Sequence, residues 1–193
     1  MKRVATTHWS SNYKADTRFF LLKTEPNDCS IDDIAAAPDQ TVPWDGVRNH
    51  QAKNILKSAQ VGDLCLIYHS SCGKATGLVG ISEVVNSAYP DPSALIPGKN
   101  YDPKVDPNGP LEKQWLCIDV KLVEKFRVPL LLSSLNEHRE NPVIDGLALF
   151  KQTRLSCSQV TTPQFEELSR LIQSNEGPAP TAVKNPSKKS KSV

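Results

Sequence analysis

Hydrophobic and polar positions fall along this chain in short alternations and brief solid runs, a pattern that predicts many small elements. The first apolar run, Arg18-Phe19-Phe20-Leu21-Leu22-Lys23, has the length of one strand. Ser30 followed by Asp33 resembles a capping box with a shorter acid; it opens a brief helix through Ile34 to Ala37 that Pro38 stops. Thr41-Val42-Pro43-Trp44 reads as extended, because a residue before proline avoids the helical region. Ala52, Ile55, Leu56 and Ala59 recur with helical spacing and give a second helix one apolar face. Val61-Gly62-Asp63 turns the chain into a strand, Leu64–His69. A further strand covers Leu78–Val85, where Gly77 and Gly80 suggest a sharp bend or a close backbone approach.

Pro90, Pro92, Pro97, Pro103, Pro107 and Pro110 then forbid regular structure, so Tyr89 to Pro110 is expected to be a long surface excursion. Trp115–Phe126 is the longest strand candidate, with Leu116, Ile118, Val120 and Leu122 on one face. A helix at about 131–138 and an extended Leu147–Phe150 follow. Arg154–Val160 reads as the last strand. Thr162-Pro163 supplies an N-cap and a first-turn proline for a helix carrying Phe165, Leu168, Leu171 and Ile172.

Residues 1–17 are polar and without periodicity, so a disordered lead-in is expected. From 174 onward the chain is rich in Pro, Ser and Lys and reads as a disordered, weakly basic tail. One domain, 18–173, lies between them. Five or six strands interleaved too irregularly for a doubly wound sheet predict an α+β fold, a small mixed β-barrel with flanking short helices.

Composition narrows the function classes. With 23 Lys plus Arg against 21 Asp plus Glu, there is no domain-wide basic excess, although a local basic patch is compatible with these totals. No run of 18 apolar residues exists, so no membrane partner is expected. The N-terminus lacks the apolar core of a secretory signal. Five widely spaced cysteines without C-x-x-C fit a reducing compartment, and the four histidines show no ligand spacing, so neither a metal nor a cofactor is expected.

The candidate chemistry lies in three amphipathic segments. Trp44-Asp45-Gly46-Val47-Arg48-Asn49 mixes an aromatic ring with a carboxylate, a guanidinium and an amide, which suits a pocket that stacks on a flat ligand and reads its edge. Lys23-Thr24-Glu25-Pro26 and Tyr68-His69-Ser70 share that character. Each residue also has a plainer reading. Trp44 could be core, Arg48 a structural ion pair with Asp45 or Glu25, Asn49 a helix cap, and Lys23 a solvated edge residue. Thr24 and Ser70 could bond local backbone. Tyr68 and His69 face opposite ways by alternation, so only one can line the site.

These segments, with Gly62-Asp63, Tyr89-Pro90-Asp91, Tyr101-Asp102-Pro103 and Thr153-Arg154-Leu155-Ser156, resemble the signature of the EVE domain over roughly residues 18–173. The resemblance implies a PUA-like barrel and recognition of a modified base, with modified cytosines in DNA favoured. Thr24 stands where family members often carry Ser, and His50 where they often carry Tyr. The expected function is thus a non-enzymatic nucleic-acid reader using Lys23, Thr24, Trp44, Asp45, Gly46, Val47, Arg48, Asn49, Tyr68, His69 and Ser70. DNA is the favoured partner. A reader of modified RNA is the alternative. A small-molecule or peptide module, or an enzyme using Asp45, His69 or Cys72, ranks lower. The nucleus is the expected location, with the cytoplasm as alternative.

Overall fold

The computed structural model describes Trp9 and residues 13–176. Among these the order is β1 (Phe19–Thr24), α1 (Ile31–Ala36), β2 (Thr41–Trp44), α2 (His50–Ser58), β3 (Leu64–His69), β4 (Gly77–Pro90), β5 (Leu116–Leu131), α3 (Leu132–Glu137), α4 (Pro142–Asp145), α5 (Ala148–Lys151), β6 (Cys157–Val160) and α6 (Thr162–Glu176). The strands form one sheet in the order β2-β5-β4-β3-β1-β6. The β1–β3 pair is parallel and every other neighbouring pair antiparallel.

The class is the α+β one expected, but the sheet does not close: β2 and β6 are its edges among the described residues. Its long strands are bent instead. The β4–β5 ladder shifts register at several points, and each bulge adds local twist. Gly80 permits one such approach, since a Cβ there would lie 2.8 Å from the Glu124 carbonyl oxygen.

Burial on both faces explains the solid apolar run of β1. Phe19 and Leu21 join a core with Leu64, Leu66 and Tyr68 of β3 and Phe165, Leu168 and Ile172 of α6. Phe20 and Leu22 join a second core with Cys65, Ile67, Ile31, Ile34, Ala52 and Leu56. Helices α1 and α2 thus cover one face and α6 the other. The Ser30–Asp33 capping box forms as expected, with Ser30 Oγ accepting from Asp33 N and Asp33 Oδ2 from Ser30 N.

Three expectations need correcting. Trp9 is 4% exposed; its ring packs on Phe126 and Phe165, and its Nε1 donates to Glu124 at 2.6 Å. Tyr13 meets Phe19 and Phe165 edge-on. Packing therefore begins before residue 18, because isolated aromatics anchor an aperiodic segment that composition alone makes look unstructured. Next, Leu147–Phe150 is not extended: Ala148–Lys151 is a helical turn with Leu149 buried. A four-residue apolar run fits a buried helical turn as well as a strand. Last, the final helix is capped one residue early: Thr161 Oγ1 accepts from Gln164 N, and Gln164 Oε1 from Thr161 N. Helix α6 also runs on to Glu176, into the tail expected from 174; the rest of that tail and of the lead-in lie outside the described residues.

Candidate functional site

The ends of the neighbouring strands β1 and β3 and the segment after β2, far from them in the strand order, converge in space. There they surround an open cavity of about 960 Å³. Parallel pairing of β1 with β3 sets Lys23 beside Tyr68 and Thr24 beside His69, which brings two of the three amphipathic segments together. The third arrives through β2, whose Trp44 pairs with Ile118 of β5. Lys23, Thr24, Trp44, Asp45, Gly46, Val47, Tyr68 and Ser70 all line the cavity.

Its inner wall is apolar. Trp44, Val47, Tyr68, Leu149 and Leu155 are buried, so Trp44 combines both readings, packing in the core and contributing to the wall. Burial pushes the Tyr68 hydroxyl up to about 12, so it stays protonated at neutral pH. Lys23 donates to the Thr153 carbonyl at 3.0 Å, and desolvation lowers its pKa. The Thr24 hydroxyl donates to the neighbouring Glu25 carbonyl, whereas the Ser70 hydroxyl donates across to the Thr24 carbonyl at the end of β1 rather than to local backbone. Asp45 stands at the rim; desolvation and then the nearby Asp91 charge raise its pKa, against the opposing pull of Arg48.

Arg48, Asn49 and His69 do not line this cavity. Asn49 caps α2, its Oδ1 accepting from Ala52 N at 3.0 Å. His69 turns to the α1 side, where Nε2 accepts from Ile31 N at 3.0 Å. That bond requires the ring nitrogen's lone pair, and burial lowers the His69 pKa in the same sense. Arg48 spends its guanidinium on the proline-rich segment. Nε and Nη2 donate to the Asn100 carbonyl, Nη1 to Asp91 and to the Val47 carbonyl, and Nη2 also to Ser93 Oγ. Its partner is thus Asp91, rather than the Asp45 or Glu25 considered from sequence.

Asp91 is the buried hub of this wall. It accepts from Gly46 N (3.0 Å), Arg48 Nη1 (2.7 Å), Ser93 N (2.8 Å) and Ser93 Oγ (2.7 Å). Burial alone would raise its pKa, but the hydrogen bonds from Ser93, Arg48 and Gly46 outweigh it and hold the carboxylate below its ordinary range. Gly46 has φ +72°, and a Cβ there would come within 2.7 Å of the Asn100 side chain. Only glycine lets the two segments approach this closely.

Residues outside the three segments complete the rim. Lys99 and Asn100 come from the proline-rich excursion, Arg139 and Phe150 from the helical connection, and Thr153 and Arg154 from the approach to β6. Lys99 pairs with Asp28 at 2.5 Å, and Arg139 with Asp145 at 2.7 Å. Arg154 is exposed and carries no ion pair or hydrogen bond among the described residues. It also lines a smaller neighbouring groove of about 470 Å³ beside Asn49 and Gln51. The proline-rich excursion and the Thr153-Arg154-Leu155-Ser156 motif stand out in the sequence, but their place on this rim, like that of Arg139 and Phe150, is set only by long-range folding. Of the residues considered for catalysis, Asp45 lines the cavity while His69 and Cys72 do not. Cys29 does line it, but burial and the charges of Asp33, Asp45 and Asp28 raise its thiol pKa, which disfavours the thiolate.

Among solved structures, the chain superposes on human THYN1 protein, crystallised in complex with 5-methylcytosine-containing DNA. The TM-score is 0.75 at 30% identity, covering 81% of this chain and 98% of that one. A hypothetical protein from Leishmania major matches with a TM-score of 0.75 at 36% identity, over 84% of this chain and 98% of that one. In sequence, thymocyte nuclear protein 1 of Mus musculus is 32% identical over 181 residues, 86% of this chain and 78% of the relative. The Homo sapiens protein of that name is 32% identical over 167 residues, 83% of this chain and 72% of the relative. The sequence model of the EVE domain matches residues 18–171, and by that span and these relatives the chain belongs to the EVE domain family.

Proposed function

We propose that this protein binds nucleic acid and accommodates a modified base, a modified cytosine in DNA, in the cavity beside Trp44, without transforming it. The observation that supports this best is the cavity's division into a buried aromatic and aliphatic wall and an exposed polar rim. It occurs in a chain with the fold of a protein crystallised with 5-methylcytosine DNA. At about 960 Å³ the space exceeds what one pyrimidine needs, and is ample for a nucleotide.

In this reading the base leaves its helix and lies against Trp44 and Tyr68. Asp45 accepts from the exocyclic amine, the pairing that suits a cytosine edge. Thr24 and Ser70 supply hydroxyls, and the Val47 side gives an added methyl an apolar surface. Arg154 meets phosphate without first surrendering a partner, and Lys23 adds positive charge inside the mouth. Arg48, Asn49 and His69 act behind the wall, holding its shape. Extrusion costs a few kcal/mol, so stacking at about 1–3 kcal/mol per base and the edge contacts must exceed it. The relatives' name describes a nuclear protein, and the same location is proposed here.

Titrating the full chain against matched oligonucleotides tests the reading. They carry cytosine, 5-methylcytosine or 5-hydroxymethylcytosine, as duplex DNA, single-stranded DNA and RNA at one salt concentration. A tenfold preference for a modified DNA base, about 1.4 kcal/mol, is the expected result. A preference confined to RNA transfers the function to that polymer. Equal, salt-sensitive binding to every oligonucleotide refutes base reading.

A further inference from the structure

Within the proline-rich excursion, residues 94–102 form a closed protrusion. Asp102 N donates to the Ala94 carbonyl at 3.0 Å across its base, and Tyr101 N to the Gly98 carbonyl at 3.2 Å nearer the tip. The stem is fixed from several sides. Arg48 grips the Asn100 carbonyl, Trp115 Nε1 donates to Asp102 at 2.8 Å, Lys99 pairs with Asp28, and Ala94 is buried.

The tip has the opposite character. Leu95 is 43% exposed and Ile96 63%, and Pro97 and Gly98 beside them are also exposed. The next two residues, Lys99 and Asn100, line the cavity. An anchored stem thus presents two aliphatic side chains to solvent on the same protrusion that lends Lys99 and Asn100 to the cavity, and solvent exposure of that apolar surface is unfavourable.

We infer that Leu95 and Ile96 form a wedge that enters a DNA duplex at the position vacated by the base in the cavity. The inference rests on the proposed base-binding role and adds residues to it. A base that leaves a duplex opens a gap lined by two apolar base faces. Aliphatic side chains carried on a rigid loop fill such gaps and offset lost stacking. The occupant is specific in its chemistry: stacked base faces above and below, with phosphates flanking the step. Lys99 stands where the strand passes from stack to cavity. A single strand has no stack to refill, so the wedge contributes to duplex binding alone.

The test uses Ile96→Ser and the double variant L95S/I96S in the full chain. Both side chains are exposed, so the folded state is retained, as thermal melting checks. Each variant is titrated against the same 5-methylcytosine sequence as duplex and as single strand. 2-Aminopurine next to the modified base in the duplex reports unstacking by its fluorescence. Expected for the double variant is a loss of about tenfold or more in duplex affinity, with the fluorescence rise reduced and single-strand affinity and base preference unchanged. Equal losses on duplex and single strand, or an unchanged duplex affinity and fluorescence rise, overturn the wedge while leaving base reading in place. Absence of any modified-base preference in the unaltered chain, on duplex and single strand alike, overturns both.

Discussion

Arg48→Ala separates a structural role for this arginine from direct contact with a ligand. The substitution removes every bond that the guanidinium makes to the Asn100 and Val47 carbonyls, Ser93 Oγ and Asp91. The Asp91 side chain has 0% exposure and the Arg48 side chain 23%. Removing one member of a buried ion pair costs about 3–5 kcal/mol. Two features lower that figure. Arg48 is partly solvated already, and Asp91 keeps the Gly46 N–H and both Ser93 donors. A loss of about 2–3 kcal/mol is therefore expected, which for a domain of this size lowers Tm by about 4–12 °C. Urea denaturation of the wild type, R48A, D91N and the double variant measures it, and the double-mutant cycle gives the Arg48–Asp91 coupling directly. Acid titration adds a sign. The Asp91 pKa is depressed in the folded state, so its stabilisation is fully present above the unfolded value near pH 3.9. It is lost as pH falls through the folded pKa below that. The acid limb should therefore flatten in D91N. An R48A protein that melts within about 2 °C of wild type, yet loses oligonucleotide binding, would refute the reasoning and make Arg48 a ligand contact.

Three further outcomes are expected. Gly46→Ala meets both a positive φ and the Asn100 side chain, so it should cost about 2 kcal/mol or more in urea melts and weaken modified-base preference through wall displacement. His69→Ala deletes the acceptor for Ile31 N and should cost about 1–2 kcal/mol at pH 8. In the wild type the depressed His69 pKa means its contribution is complete above about pH 6.5 and declines as pH falls below that, so the difference between the two proteins should shrink in melts at lower pH. Trp44→Ala should cost about 3–5 kcal/mol because the ring is buried, whereas Trp44→Phe should keep the fold and change base preference; the two effects are read by thermal melts and by oligonucleotide competition.

The local patterns determined much of this protein. The double-faced run Phe19–Leu22, the Ser30–Asp33 cap, the apolar face of α2 and the proline-rich excursion follow from periodicity and turn chemistry acting over a few residues. The chemically mixed segments were also legible, and eight of the eleven residues named in them line one cavity. Tertiary structure decided which way each side chain faces and what completes the wall. Tyr68 and His69 are separated by strand alternation, but which of them meets the cavity depended on which helices cover each face of the sheet. Arg48 looked like a reader of ligand edges until the fold placed Asp91, Ser93 and Asn100 within its reach, about 40 to 50 positions along the chain. Trp9 lay in an aperiodic segment, and only the ring space beside Phe126 and Phe165 gives it a role in the core. Short-range sterics and hydrophobic periodicity are written in neighbouring residues. The partner of a buried charge, and the rim of a cavity, are set by distant segments that meet only when the sheet assembles.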